Sequence, residues 1–346
     1  MFVFRLPKKH SWISHNIGQV AYFCQALTAH KPKAFLYMTA LTDIKDSELQ
    51  CILDALLVAA VQIHEAVKSG NGLDVTAVSN VSGDSQLTLD VLADSYFQDT
   101  LASNTQVRYI VSEERPNLVA YGNGDYSVSL DPLDGSKSAA VGIPPGAIFG
   151  VFKDAQDISD FNGQHIVMGG FFVFGINLEV YFSLHGAATT GVWDACTNSW
   201  TFRALPAMPT KKMIAINASN RTKWNPWLQD YFDGLINHED ENGNSFNLRW
   251  YASMVSEIKR LLLEGGIFSY PSDKRPGYVK GHLRLVYEAI PMAYVLAAVG
   301  GKSSNGDASI LALQTTELHQ KTPVFLGEAA LITEMEKAKK GLGLGV

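Results

Sequence analysis

The apolar and polar positions divide the chain into two stretches of helices and short strands. Between Asp46 and Ser69, Leu49, Ile52, Leu53, Leu56, Leu57, Ala60, Ile63 and Val67 recur at helical spacing. This spacing predicts an amphipathic helix capped by Asp46 or Ser47 and stopped by Gly70. A second helix fits residues 85–102. β-Rich runs follow at 107–111, 126–130, 147–152, 167–176 and 180–184, the last two separated by a turn at Asn177. From Lys212 the pattern restarts with a strand at 213–216, helices at 225–235 and 253–264, and a strand at 267–270. An apolar helix at 285–299, ended by Gly300 and Gly301, completes it. The mixture predicts an α/β (α+β) fold with an arm at 1–42, a subdomain at 43–211 and a second at 212–346.

Composition bounds the function. The chain has 346 residues, 47% hydrophobic and 18% charged, enough apolar surface for a sizeable core. A net charge of -6 without a Lys/Arg run argues against nucleic acid or a membrane surface as partner. No uninterrupted apolar run reaches the roughly 18 residues that span a bilayer. Cys24, Cys51 and Cys196 lie far apart without a CxxC pair, which fits a reducing compartment. A cytoplasmic location is therefore expected. Residues 1–42 keep organelle targeting open, because Arg5, Lys8, Lys9, Lys31 and Lys33 precede the first acid, Asp43. Trp12, Ile13, Tyr22, Phe23, Phe35 and Tyr37 equally suit an arm packed on the body or on a partner subunit.

The chemistry gathers where the strands end. The run 107–111 leads straight into Ser112-Glu113-Glu114, and 126–130 into Asp131-Pro132-Leu133-Asp134-Gly135-Ser136. Glu113-Glu114 alone reads as a solvated turn, and Asp131 alone as a helix cap. If both strands share a sheet, three or four carboxylates meet at its rim, and like charges that close raise one another's pKa. A divalent cation removes the penalty. Oxygen ligands without His or Cys favour Mg²⁺ or Mn²⁺ over zinc. Gly135 lets the backbone approach an anion, and Ser136 offers a hydroxyl and an N–H.

Together, the SEE and DPLDGS elements resemble the fructose-1,6-bisphosphatase/sedoheptulose-1,7-bisphosphatase family. The likeness extends from Gly83-Asp84-Ser85-Gln86 through Asp90 to Leu283-Arg284-Leu285, Tyr287-Glu288 and Pro291-Met292-Ala293. It implies the layered α-β-α-β-α sandwich of the sugar phosphatase superfamily, a first subdomain that binds metal and a second that binds sugar phosphate. It further implies two or three Mg²⁺ held by Glu113, Asp131, Asp134, Glu288 and the Leu133 carbonyl, with Asp84, Asp90 and Glu114 handling the attacking water. Substrate contacts fall on Gly135, Ser136, Lys137, Asn217, Asn220, Arg249, Tyr270, His282 and Arg284, Arg249 reaching in from a neighbouring subunit of a homodimer or homotetramer.

Asn220, Leu92-Ala93-Asp94 and Arg115-Pro116-Asn117-Leu118 resemble the heptulose type. The expected reaction is hydrolysis of the 1-phosphate of sedoheptulose 1,7-bisphosphate. Fructose 1,6-bisphosphate, alone or as a second substrate, is the alternative, ahead of an inositol-type monophosphatase or an inactive scaffold. Lys137, His282 and Trp250 depart from the family's usual serine, lysine and tyrosine. Asp125 before Tyr126 disfavours an AMP site, and Cys24 with Cys51 does not reproduce the regulatory cysteine spacing of plastid enzymes.

Overall fold

The structure, a computed structural model, describes residues 38–39, 46–70, 75–79, 85–237, 239, 241 and 243–341. Nearly all of the expected arm at 1–42 lies outside them, as does Asp84. Residues from Thr39 onward belong to one compact unit.

Within that unit the strands of the larger sheet neighbour one another in a fixed order. They run Ser199–Ala204, Ala187–Asp194, Leu178–Leu184, Ile166–Phe174, Gly146–Lys153, Tyr126–Asp134, Val107–Ser112, Val119–Ala120. All these pairs are antiparallel except Val107–Ser112 with Tyr126–Asp134. Side chains alternate between two cores. In Gly146–Lys153, Ala147, Phe149 and Val151 join the core beneath helices Ser47–Ser69 and Thr88–Ala102, while Ile148 and Phe152 join one shared with Met254–Glu264 and Ile290–Ala298. With apolar cover on both faces, the strand reads as a continuous apolar run.

The smaller sheet runs Asn247–Leu248, Met213–Ala215, Ile267–Tyr270, Val324–Glu328, Gly301–Ser304. Phe268 and Leu326 pack toward the inner helices, and Ile267 and Phe325 toward the outer pair, Pro226–Asn237 and Ala329–Lys339. The middle core spans both faces of the inner helices, and with the two outer cores it joins five layers, the α-β-α-β-α sandwich expected.

Several elements differ from the sequence reading. Ser47–Ser69 is long and apolar enough to cross a membrane, with a mean hydropathy of 1.4. The uninterrupted-run criterion missed it because Asp54 interrupts the apolar positions. Its Leu49, Ile52, Leu53, Leu56 and Ile63 are nevertheless buried in the core shared with Thr88–Ala102. The stretch 85–102 starts as a strand, Ser85–Leu87, paired with Val75–Ser79, and turns helical only at Thr88. There the Asp90 carboxylate accepts from the Leu87 N–H at 2.6 Å, satisfying a donor that the first turn leaves open. The helix at 285–299 opens with a π turn, Leu285–Ala289, before Ile290–Ala298. Pro291 has no N–H to give, and the Val286 carbonyl instead accepts from the Ser129 hydroxyl at 3.1 Å. The strands at 187–194, 199–204, 301–304 and 324–328 were not expected. Two of them, Ala187–Asp194 and Gly301–Ser304, are too polar or small to show a strand period.

Phe172 lies within 5.4 to 6.5 Å of the rings of Phe97, Phe149, Phe174 and Trp200. Phe172→Ala should cost about 3–5 kcal/mol in urea unfolding; a loss below about 1 kcal/mol would show that this cluster does not hold the outer helices to the sheet.

Candidate active site

The parallel strand pair explains why the two acidic motifs meet. Ser112 lies opposite Leu130, and the Glu113 N–H donates to the Leu130 carbonyl at 3.0 Å, so both strands deliver their acids to the same rim. The ladder between Tyr126–Asp134 and its antiparallel neighbour slips between Asp131 and Asp134. In this bulge the Leu133 N–H turns to the Asp131 carboxylate at 3.2 Å. Glu288 enters from the π turn, held by the Arg284 N–H at 2.6 Å, while the Arg284 guanidinium pairs with Glu113 at 3.2 Å. One oxygen each of Asp131, Asp134 and Glu288 lies within 4.8 Å of the others. Asp134 also accepts the Val255 N–H at 3.0 Å, which ties the cluster to the start of Met254–Glu264.

Burial and mutual repulsion dominate the electrostatics. Asp131 and Glu288 are 4% and 3% exposed. Burial first, then the charges of Glu113, Asp134 and Glu288, push Asp131 far above the usual carboxylate range. Burial and Glu113 raise Glu288 to about 8 despite the opposing Arg284. Burial raises Asp134 to about 6 although the Val255 and Met254 N–H groups resist. Asp90 is raised mainly by burial, and its Oδ1 is buried with no hydrogen-bond partner. An all-oxygen donor set whose members cannot all ionise together, beside an orphaned carboxylate oxygen, fits divalent cations of the hard type.

The carboxylates open on a cavity of about 320 Å³. Its lining includes Asp90, Glu113, Glu114, Asp131, Leu133, Asp134 and Glu288 on the carboxylate side, and Gly135, Ser136, Lys137 and Arg284 beside them. Asn217, Tyr270 and His282 complete it from the second sheet's side. Asn220 lines a smaller adjoining cavity that shares Asn217, Trp250 and Tyr270. Arg249 is exposed, outside both linings, and donates to its neighbour's carbonyl at 3.2 Å. Gly135 sits at φ 75°, and a Cβ there would lie 3.1 Å from the Ser253 hydroxyl, so glycine is the residue this turn admits most readily.

Some participants escaped the sequence reading. Asp94, buried one helical turn after Asp90, accepts from the Ser112 hydroxyl at 2.6 Å and the Arg115 guanidinium at 2.7 Å, bracing the loop that carries Glu113 and Glu114. The i,i+4 spacing of Asp90 and Asp94 was the available signal. Ser253, Met254 and Phe268 also line the cavity, the first two from the start of the helix Met254–Glu264 and the third from the second sheet; nothing local in their sequence marks them.

Two family models cover most of the chain. The fructose-1-6-bisphosphatase N-terminal domain matches residues 37–202 and the C-terminal domain 207–340. The chain is 37% identical over 294 residues to the class 1 fructose-1,6-bisphosphatase of Pseudoalteromonas atlantica, covering 81% of this chain and 91% of that protein. The chain belongs to the fructose-1,6-bisphosphatase family. The Rhodobacter capsulatus family member, also class 1, is 36% identical over 265 residues, covering 74% of this chain and 79% of that one. The holo form of Leishmania major fructose-1,6-bisphosphatase superposes with a TM-score of 0.79 at 28% identity, over 86% of this chain and 95% of the other. As a fructose-1,6-bisphosphatase family member the protein is a sugar bisphosphatase, a phosphoric monoester hydrolase. These relatives carry the six-carbon name, so they favour the alternative substrate over the heptulose expected from the motifs.

The raised carboxylates set a pH dependence. Between about pH 4 and 8 the folded state without metal binds more protons than the unfolded chain, so its stability falls as pH rises through that window. Mg²⁺ added to chelated protein should therefore raise the thermal midpoint more at pH 8 than at pH 5. An equal shift at both values, or none, would remove these carboxylates from metal binding.

Proposed function

We propose that the protein hydrolyses the 1-phosphate of fructose 1,6-bisphosphate in a Mg²⁺-dependent reaction, releasing fructose 6-phosphate and inorganic phosphate. The observation that carries this reading is the buried carboxylate cluster of Asp131, Asp134 and Glu288, open to a cavity lined by a phosphate-binding turn, in a chain whose relatives bear that enzyme's name. Glu113, Asp131, Asp134, Glu288 and the Leu133 carbonyl would hold the ions. When bound, the ions supply positive charge to both the attacking and the leaving oxygen of an in-line displacement.

The remaining work falls to the chain's own groups. Ser136 and the backbone after Gly135 hold the reacting phosphate. Arg284, fixed beside Glu113, faces the same phosphate with its guanidinium. Glu114 and Asp90 orient the attacking water and take its proton. Asp90 suits the task because burial raises its pKa toward working pH. The P–O bond to the sugar breaks as the water oxygen bonds to phosphorus; the leaving sugar oxygen takes a proton from solvent, and Asp90 or Glu114 returns to solvent the proton it accepted from the attacking water. Asn217, Asn220, Tyr270 and His282 hold the sugar and its second phosphate. Arg249, exposed and outside the cavity, is free to serve the site of a neighbouring copy in a homodimer or homotetramer.

Asp134→Asn should keep the Val255 N–H bond and the fold. Turnover should drop more than the roughly 10–100-fold typical of residues that only support metal ligands. Retention of most activity would refute its role. Steady-state kcat/KM for fructose 1,6-bisphosphate should exceed that for sedoheptulose 1,7-bisphosphate and vanish without divalent metal. The reverse preference would restore the heptulose reading, and activity on inositol monophosphate alone would overturn both.

A further inference from the structure

The segment Pro271–His282 builds one wall of the cavity as a column of stacked groups. The His282 imidazole stacks on two tyrosine rings, 4.7 Å from Tyr278 at 10° and 5.4 Å from Tyr270 at 21°. The Arg275 guanidinium covers the outer face of Tyr278 at 3.8 Å. It is fixed there by Asp273, buried at 6% exposure, which accepts from Arg275 Nε at 2.9 Å and from Nη2 at 2.6 Å. Gly281 allows the turn into the column, since a Cβ there would lie 2.2 Å from the Thr322 carbonyl carbon. His282 and Tyr270 line the cavity, Asp273 and Arg275 line the smaller adjoining one with Asn220, and Tyr278 lines neither. Imidazole, phenol and guanidinium planes in contact are mutually attractive, and the cation at the end of the row strengthens the attraction.

Resting on the proposed sugar bisphosphatase reading, we propose that Tyr278, backed by the Asp273–Arg275 pair, is a positioning residue that sets the preference for a substrate carrying a second phosphate. It does so by holding the His282 ring flat against Tyr270, so that the edge of the imidazole is presented at a fixed angle to the sugar's far end. Two stacked rings and a charge lock leave His282 little rotational freedom, and an ordered donor costs less entropy when it binds. On the proposed reading Gly135, Ser136 and Arg284 would hold the reacting phosphate, and Tyr278, stacked on His282, is not among the residues that line the cavity with them, so the column acts on substrate choice rather than on the chemical step.

The test compares fructose 1,6-bisphosphate with fructose 1-phosphate on the Mg²⁺-loaded wild type, Tyr278→Ala, Tyr278→Phe and Arg275→Gln. An aromatic pair is worth about 0.5–1.5 kcal/mol, a factor of roughly three to ten. Tyr278→Ala should lower the ratio of kcat/KM for the bisphosphate to that for the monophosphate by this factor, through KM rather than kcat. Tyr278→Phe should restore the ratio and Arg275→Gln should lower it in part, which covers the case in which the alanine variant does not fold. Equal losses on both substrates, a loss confined to kcat, or an unchanged ratio in a folded Tyr278→Ala would overturn the inference while the wild type still hydrolyses the bisphosphate. A wild type inactive on both substrates would overturn the proposed function and this inference with it.

Discussion

The molecule is organised around the repulsion among buried carboxylates. Asp131, Asp134 and Glu288 bring oxygens within 4.8 Å of one another in a setting that raises all three pKa values. One guanidinium, Arg284, cannot neutralise them, and its pairing with Glu113 is one contact in a crowded set. Such an assembly persists only if the fold forces the groups together and cations relieve the charge.

The force comes from topology. Two parallel strands set in an otherwise antiparallel sheet end on the same rim, and the π turn before Ile290–Ala298 delivers Glu288 from the layer below. The layers are tied across the interface by the Ser129 hydroxyl on the Val286 carbonyl and by Asp134 on the Val255 N–H. The inner helices thus serve two purposes: they fill the core between the sheets and they fix the angles at which the carboxylates meet. Among the described residues, Ala252 is one of the non-glycine positions in the left-handed region, at φ 59°, and it lines the cavity next to Ser253.

Much of this was legible in the residues. Helices with a wide apolar stripe, such as Ser47–Ser69, and strands buried on both faces, such as Ile166–Phe174, announce themselves because their period or their apolar run reflects direct burial. The SEE and DPLDGS motifs marked the site for the same local reason: both place acids directly after apolar runs of strand length. Gly301–Ser304 and Ala187–Asp194 were missed because small and polar residues carry no strand period. The start of Thr88–Ala102 was misplaced because Asp90 caps it from inside rather than from the preceding residue. Ser253 depends on contacts with Asp134 far away in the chain, which no local pattern encodes, while Asp94 and the column behind His282 offered only weak local signals in their spacing. The substrate preference read from Asn220 and its neighbours gave way to the relatives' six-carbon name. Of the residues that carried that preference only Asn220 lines either cavity, and the others lie outside both linings, where they carry little information on the shape that decides between similar ketoses.

Calorimetric titration of Mg²⁺ into chelated protein near pH 7, repeated in buffers of different ionisation enthalpy, counts the protons that leave as metal enters. If the carboxylates share protons until cations replace them, binding must release protons, and Glu288→Gln must release fewer. Binding with no proton release in either protein would contradict the account.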